Sequence, residues 1–468
     1  MSKSSRHGVP DRESGIAEIE IEGFKSLSKR TKVEIRPLTV LAGANSSGKS
    51  SLMQPLLLLK QTLEATFDPG PLLLDGPNVT FTSSEQMLSS ISNEHADHFT
   101  VGFTTMEDDG VVVSFAGPRK GGVELRETTW IRGGERTLLN RRLHPAEIEK
   151  ALSEMDKLFL ASVAAYTDLM GTAEMTEGKY VTTIEATKAL RDFQLEVVRQ
   201  RCFFDVVATL DSSGSGNSES RLFRQPMASV QGDLHRVLHV PGLRGNPERT
   251  YPKTAIGPEF PGVFPTYVAS VIHRWKERRD PSHKRLGEML RELDLTWKVE
   301  AGRIDETHVE LKVGRLPNPR KGASKDLVNI ADVGIGVSQV LPVLVALLVA
   351  EPNQLVYIEQ PELHLHPRAQ TKLAAVIARA AQRGVRVVIE THSSLLLLGI
   401  QTLVAEGNLD PALVKLHWFQ RQEDGVTNVT SADLDENGAF GEWPEDFADV
   451  ELEAEGRFLD AASRHAGA

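Results

Sequence analysis

Gly43-Ala-Asn-Ser-Ser-Gly48-Lys49-Ser50 decides how this chain folds. It fits G-x-x-x-x-G-K-[ST] at every fixed position, and its flanks give the pattern a structural context. Before it, Leu38-Thr-Val-Leu41 is a short apolar run of the kind that forms a buried strand. After it, Leu52, Leu56, Leu59 and Leu63 recur at helical spacing, so the stretch predicts strand, loop and helix in succession. Such a loop cradles phosphates. Its glycines let backbone N–H groups turn toward anionic oxygens at a helix N-terminus, Lys49 reaches the β- and γ-phosphates, and the Ser50 hydroxyl ligates Mg²⁺. The expected phosphate contacts are Gly43, Asn45, Ser46, Ser47, Gly48, Lys49, Ser50 and Ser51.

Composition narrows the class of protein. With 468 residues, 40% hydrophobic and 25% charged, the chain is long enough for two or three globular lobes. Its single cysteine, Cys202, excludes a disulfide framework and a cysteine-based zinc site, which suits a reducing compartment. No apolar run reaches the ~18 residues of a membrane span, and Met1 to Gly15 lacks the apolar core of a signal peptide. A cytoplasmic protein without a membrane partner is expected. The net charge of -11 argues against a surface basic throughout, so a nucleic-acid contact would have to come from local patches.

The next nucleotide motif, Leu355-Val-Tyr-Ile-Glu359-Gln360-Pro-Glu362-Leu-His-Leu-His-Pro367, lies far from the phosphate loop. Ordinary domain sizes would bring the two within ~60–100 residues, so one α/β core interrupted by a large insertion is expected. Residues 1–15 read as a disordered tail. Residues 16–144 form an N-terminal lobe, because Ile19 to Ile35, Phe99 to Phe115 and Gly122 to Trp130 alternate as strands do. From Pro145 the period turns helical (Ile148, Leu152, Met155, Phe159, Val163, then Ile184, Leu190, Phe193, Val197), so residues 145–236 read as a helical arm with a flexible linker at Ser212 to Ser220. Residues 237–328 form a connecting lobe with an exposed loop at Asn318 to Lys325, residues 329–425 a C-terminal lobe, and residues 426–468 a closing hairpin and helix.

The last third has α/β character. Asn329 to Gly336 reads as a turn, and Val340 to Ala350 as an apolar helix with Pro342 in its first turn. Leu355 to Ile358 is apolar without alternation, as expected of a strand covered on both faces. Arg368 to Arg383 reads as a helix closed by Gly384, and Val385 to Ile389 as a strand running into Glu390-Thr391-His392-Ser393.

The phosphate loop, Gly334-x-Gly336-Val-Ser338-Gln339, the Glu359-Gln-Pro-Glu-Leu-His-Leu-His-Pro run and Glu390-Thr-His392-Ser together resemble ABC-type, AAA-family ATPases of the OLD, RecF and SMC-like group, over the first ~60 residues and residues 329 to 400. Val240-Pro-Gly-Leu-Arg244-Gly-Asn-Pro-Glu-Arg249-Thr-Tyr251 and Gly438-Ala-Phe-Gly-Glu-Trp-Pro-Glu-Asp-Phe447 are similar to marks of a bacterial subgroup that serves as the ATPase of phage-defence cassettes, the Septu-like systems. The resemblance implies an ABC-type P-loop head with a mixed sheet, interrupted by a large helical or mixed insertion. It implies ATP and Mg²⁺ as cofactors, held between two head-to-tail protomers, with Gly334, Gly336, Ser338 and Gln339 meeting the γ-phosphate of the partner's nucleotide. Glu359 takes the place of the Mg²⁺-holding Walker B acid, beside Ser50. His392 matches the switch histidine that senses the γ-phosphate, and Gln360 stands where relatives carry the catalytic glutamate. An amide can orient water but not deprotonate it, so hydrolysis is expected to be slow. Glu362 is the substitute base if the strand runs past Pro361. Gln54 and Gln86 are both candidates for the Q-loop glutamine, and Arg244 and Arg249 for groups acting near the nucleotide or coupling the inserted lobe to it.

The implied activity is an ATP-driven switch that forms a homodimer or larger oligomer and controls a separate effector, a nuclease encoded nearby, in phage defence. The alternative is a DNA-repair or chromosome-associated RecF/SMC-like ATPase that holds DNA or RNA itself. Arg274, Lys276, Arg278 and Arg279, interleaved with Trp275, form the preferred basic patch for that. His364-x-His366 with Glu362 has metal-like spacing but is already explained by the family pattern. Asp433-x-Asp435-x-Asn437-Gly438 opens like a calcium loop, yet Pro444 stands at position twelve, so a hairpin turn is expected.

Overall fold

Apolar residues at every second position start the chain in an antiparallel sheet. The computed structural model describes residues 15–91, 94–117, 122–151, 193–210, 220–223, 228–316, 326–441 and Arg457. In it β1 (Ile16–Glu22) buries Ile19 and Ile21 and pairs with β2 (Thr31–Glu34). The chain then crosses into a second sheet through β3 (Leu38–Gly43), turns through the phosphate loop and enters α1 (Lys49–Glu64). Four more strands, β4 (His98–Thr105), β5 (Gly110–Ala116), β6 (Glu124–Arg132) and β7 (Glu135–Leu139), complete the first sheet in the order β2-β1-β4-β5-β6-β7.

α2 (Pro145–Ala151) opens the inserted region, and most of the expected helical arm beyond it lies outside the described residues. Where description resumes, the helical reading of Phe193 and Val197 is overturned. Phe193 to Gln200 is a strand, β8, paired antiparallel with β9 (Phe203–Leu210), and β9 pairs in turn with β10 (Ser220–Phe223). Helical spacing of Phe193 and Val197 lost to tertiary pairing: Arg201 turns the chain with φ 53°, and Cys202, Phe203 and Phe204 bury against β6. Trp130 of β6 anchors the contact, its indole N–H donating to the Phe204 carbonyl at 3.0 Å. The expected linker and the loop at Asn318 to Lys325 lie almost wholly outside the described residues.

α3 (Ala228–Arg236) leads into β11 (Leu238–Val240). The connecting lobe follows as α4 (Val268–Arg278) and α5 (Pro281–Glu292) beside an antiparallel sheet that includes β12 (Val299–Arg303), β13 (His308–Gly314) and β14 (Leu327–Asn329). α6 (Ile335–Val349) begins ahead of the apolar run that suggested it, so Pro342 sits inside the helix rather than in its first turn. The proline removes one N–H that would have bonded the Ser338 carbonyl, in a first turn that is half exposed and open to water.

β15 (Leu355–Glu359), α7 (Pro367–Gln382), β16 (Arg386–Thr391), α8 (Ser394–Ala405), β17 (Val414–Arg421) and β18 (Thr427–Ala432) finish the described core. The second sheet runs β11-β15-β16-β3-β17-β18, parallel throughout except for β18 at one edge. This is the mixed-sheet α/β P-loop head. β18 pairs with β17 as part of this sheet, turning at residues 422–426 rather than at Asp433 to Gly438, where the hairpin was expected; the closing helix lies almost wholly outside the described residues.

Strand alternation sorts the side chains of this sheet between two cores. Val356, Ile358, Val387 and Ile389 face the side covered by α6, α7 and α8; Leu355, Tyr357 and Val388 face the α1 side, where the first sheet closes the layer. Continuing that period puts Glu359 and Glu390, register partners on adjacent strands, on the α1 side as well.

Candidate nucleotide site

Two glycines let the phosphate loop turn tightly. Gly43 has φ 145° and Gly48 φ 100°; a Cβ on Gly43 would run into the Phe419 carbonyl, and one on Gly48 would lie 2.6 Å from Ser26 Oγ and 2.7 Å from Thr427 Oγ1. α1 starts directly behind Gly48 with no side-chain cap and no acidic residue in its first turn, which leaves its N-terminal N–H groups for an anion. The loop opens on a cleft of about 650 Å³ whose other walls include Lys25, Gln54, Gln360, Glu390, His392 and Arg421.

Lys49 is almost fully buried, its ammonium donating to the carbonyls of Gly43 at 3.0 Å and Ala44 at 2.8 Å. Burial lowers its pKa, while the charges of Glu390 and Glu362 work the other way. His392 follows β16, and its Nδ1–H donates to the Gly43 carbonyl at 2.9 Å. Burial, with the Lys49 charge beside it, lowers the imidazole pKa and favours the neutral ring. The switch-histidine candidate thus touches the phosphate loop itself.

The acidic residues are arranged differently from what the motif implies. Ser50 Oγ donates to Glu390, 2.9 and 3.0 Å from its two carboxylate oxygens, and Tyr357 donates its hydroxyl to the same carboxylate at 2.8 Å. Burial, reinforced by the nearby Glu359 charge, raises the Glu390 pKa. Both oxygens of Glu359, by contrast, are engaged away from the loop: Oε1 lies 3.1 Å from His239 Nε2 and Oε2 accepts the Gly242 N–H at 2.9 Å. Burial pushes this group up, but the His239 hydrogen bond, the Gly242 N–H and the Arg244 charge outweigh it and hold the pKa below the ordinary carboxylate range. The expected Ser50–Glu359 pairing is therefore not what the structure shows.

Gln360 does line the cleft. Its backbone is left-handed (φ 45°), its N–H donates to the Glu390 carbonyl at 2.7 Å, and β15 has ended before it. The chain turns at once, so Glu362 does not continue the strand face. It is buried, accepting from Thr391 Oγ1 at 2.7 Å and the His392 N–H at 3.2 Å, and does not line the cleft. Burial raises its pKa. In this conformation Glu362 steadies the segment that carries His392 rather than facing a water at the phosphates.

Gly334, Gly336, Ser338 and Gln339 lie at the start of α6 and take no part in the cleft wall. Gly334 and Ile335 are exposed, and the helix N-terminus has no side-chain cap; Gln339 is buried and donates to the Gly245 carbonyl at 2.7 Å. Arg244 donates to the carbonyls of Glu359 at 2.6 Å and Gln360 at 3.2 Å, while Arg249 pairs with Asp332 at 2.7 Å. Both arginines thus couple the connecting lobe to motif segments. Gln54 receives a hydrogen bond from Lys25 at 2.6 Å beside the loop, and Gln86 bonds Thr82 outside the cleft.

The basic patch loses its aromatic member, because Trp275 is a core residue of α4 and offers no face to a base. Lys276 pairs with Glu300 at 2.7 Å and Arg274 reaches the Ile256 carbonyl, which leaves Arg278 and Arg279 exposed at the helix end. His366 caps α7, and among the described residues no group of His, Cys, Asp or Glu is arranged to hold a metal by itself. A hydroxyl beside one carboxylate at Ser50 and Glu390 does fit Mg²⁺, which takes few protein oxygens and completes its octahedron with phosphates and water.

Lys25, Glu390, Arg421 and His239 were missed in the sequence. For Glu390 a signal existed: it stands two residues after Val388, on the same strand face.

Two family models match the chain. The one described as "AAA ATPase domain" matches residues 15–158, and the one described as "AAA domain, putative AbiEii toxin, Type IV TA system" matches residues 191–398. Among solved structures the chain is similar to an Smc head bound to the C-terminal winged-helix domain of ScpA (13% identity, 90% of this chain and 98% of that one, TM-score 0.44). It is also similar to a Pyrococcus furiosus Smc head with an extended coiled coil bound to the C-terminal domain of ScpA (12%, 96% and 100%, 0.45) and to the Thermotoga maritima SMC head (9%, 89% and 98%, 0.38). No curated protein matches. No helix among the described residues is long and apolar enough to cross a membrane. The two matched segments take in the phosphate loop on one side and α6, β15 and His392 on the other, so AAA-type ATPase domain models match in both parts of the head.

Proposed function

We propose that the protein is an ATP-binding switch in which two copies close head to tail around Mg²⁺-ATP and thereby engage or release a separate effector, a nuclease, in bacterial phage defence of the Septu-like kind. The observation that carries this reading is the one-sidedness of the cleft: one chain supplies the loop, Lys49, Gln360 and His392, while the exposed, uncapped start of α6 with Gly334, Gly336 and Ser338 points elsewhere. A second copy supplies that helix N-terminus to the γ-phosphate, where a positive dipole end favours negative charge. Moving the population from 1:99 to 99:1 needs about 5.5 kcal/mol of differential affinity, which a γ-phosphate held from both sides can provide.

Within the cleft, Lys49 leaves the Gly43 and Ala44 carbonyls for the phosphate oxygens, and neutral His392 registers the γ-phosphate through the loop it touches. Mg²⁺ would be held by Ser50 with a neighbouring carboxylate and would supply positive charge to offset that developing on the phosphates. Gln360 orients the attacking water without accepting its proton, which leaves out general-base help of ~10²–10⁴-fold, so occupancy by ATP rather than rapid turnover is the output. The family description naming a putative toxin of a toxin–antitoxin system is in keeping with a defence role.

The test pairs assembly with turnover. Sedimentation of the purified protein should show a dimer with ATP and Mg²⁺ that is absent with ADP, and Ser338→Trp should abolish it; assembly insensitive to nucleotide or to that substitution counts against the switch. Steady-state hydrolysis by Gln360→Glu should rise above wild type, and an equal or lower rate in a folded, ATP-binding variant would refute the missing-base argument. DNA added to the same assays separates the second reading, which rests on exposed Arg278 and Arg279: salt-sensitive DNA stimulation lost on reversal of both charges would favour a DNA-holding ATPase.

A further inference from the structure

The Walker B position and the phosphate loop are separated in the second sheet by β16, the strand between β15 and β3. A carboxylate on β15 has to reach across that strand to meet Ser50, whereas one on β16 is already adjacent to the loop strand. Glu390 sits on β16 opposite Leu41 of β3 and on the α1 face. Among the described residues it is the sole acidic side chain lining the cleft.

Glu359 faces the same side but is committed elsewhere. His239 holds its Oε1, and that imidazole is fixed in turn by Asn78 Oδ1, 3.1 Å from Nδ1, and by stacking on Tyr357 with ring centroids 5.4 Å apart. The Gly242 N–H takes Oε2, and Arg244 clamps the carbonyls of Glu359 and Gln360 from the same turn. All of this ties the end of β15 to the turn after β11. It is a structural junction whose acceptors are spoken for.

We propose that Glu390, and not Glu359, is the carboxylate that with Ser50 faces the divalent cation of the bound nucleotide, while Glu359 is a fixed post for the Gly242–Arg244 turn. The proposal rests on the reading of the cleft as a Mg²⁺-ATP site. Tyr357 and Ser50, both donating to Glu390, hold the carboxylate in place before a cation arrives. On binding, the Ser50 hydroxyl oxygen and a Glu390 oxygen face the cation directly or through water, and Tyr357 keeps its hydrogen bond to the other oxygen.

Equilibrium titration with a fluorescent ATP analogue, in MgCl₂ and separately in EDTA, tests it on the full-length protein without relying on turnover. Glu390→Gln keeps one accepting oxygen, within reach of both Tyr357 and Ser50, but loses the charge; its Mg²⁺ requirement should rise ~10–100-fold, with the affinity measured in EDTA little changed. Glu359→Gln should keep the wild-type Mg²⁺ requirement and show a lower thermal midpoint. A Glu390→Gln protein with the wild-type Mg²⁺ requirement, or a Glu359→Gln protein whose requirement shifts as much as that of Glu390→Gln, would overturn the assignment. Should Glu390→Gln fail to bind the analogue in EDTA, Glu390→Ala, which also loses the charge, replaces it and is read against the same two outcomes. Wild-type protein that binds no analogue in either buffer would instead defeat the ATP-site reading itself.

Discussion

Lys49→Ala is expected to lower ATP turnover on the order of 10²–10³-fold, as losing one preorganised donor to a developing phosphate charge does. The ammonium is poised for that role, being almost fully buried, held by two loop carbonyls and next to His392. Moving from the Gly43 and Ala44 oxygens to a phosphate exchanges neutral acceptors for charged ones, so the ligand gains a charge-assisted contact that the free protein does not spend elsewhere. The same substitution removes a positive charge that works on Glu390, whose burial already disfavours ionisation. ATP affinity and the thermal midpoint of the nucleotide-free protein should therefore be recorded beside turnover. A Lys49→Ala protein that stays folded and hydrolyses ATP near the wild-type rate would remove the phosphate loop from the site. Lys49→Arg, which keeps the charge in a bulkier fork, should fall between the two.

Glu64→Gln is expected to destabilise the fold by ~3–5 kcal/mol, the usual consequence of leaving one member of a buried ion pair uncompensated. Lys60 is fully buried in α1, pairs with Glu64 one turn on, and also donates to the His235 carbonyl at 3.2 Å; Glu64 in turn accepts the Gly262 N–H at 2.9 Å. The pair thus fastens the phosphate-loop helix to segments on both sides of the Gly242–Arg244 turn. Burial depresses the Lys60 pKa, with Glu64 opposing the shift. In the window between that folded value and the ordinary lysine value the unfolded chain binds more protons, so this residue makes stability rise with pH up to about 10.4. Glu64→Gln should widen the window and show a steeper rise than wild type in denaturant midpoints on the alkaline side. Adding Lys60→Met should return most of the lost stability and flatten that rise. Additive losses in the double variant would mean the two side chains do not act as a pair.

Much of the head was legible because its motifs are local. A Gly-rich loop between an apolar run and a leucine-spaced helix predicts its own geometry, and His392 was picked out by the resemblance of Glu390-Thr-His392-Ser to a switch motif rather than by any geometry of the sequence. What escaped depends on which strands become neighbours. Leu355 to Glu359 reads as a motif strand, but only the insertion of Arg386 to Thr391 between it and Leu38 to Gly43 makes Glu390, rather than Glu359, the neighbour of Ser50. Lys25 and Arg421 reach the cleft from a loop after β1 and from the end of β17, far apart in sequence, and neither carries a local signature. Phe193 and Val197 were misread because their helical spacing also suits a strand whose partner, Phe203 to Leu210, lies just beyond the tight turn at Arg201. Trp275 looked like an exposed stacking residue because its charged neighbours hid the apolar face of α4.

The placement of β3 between β16 and β17 also carries a consequence for biosynthesis. Both neighbours of the phosphate-loop strand belong to the far end of the chain, so a ribosome must deliver nearly all of the protein before that strand can be flanked. At ~5–20 residues per second the segment from Leu38 to Gly43 waits on the order of tens of seconds for its partners. During that interval an apolar strand and a leucine-rich helix emerge without their sheet, which makes nascent chains the stage at which chaperone demand is greatest. Truncated translation products should accordingly be unable to retain ATP.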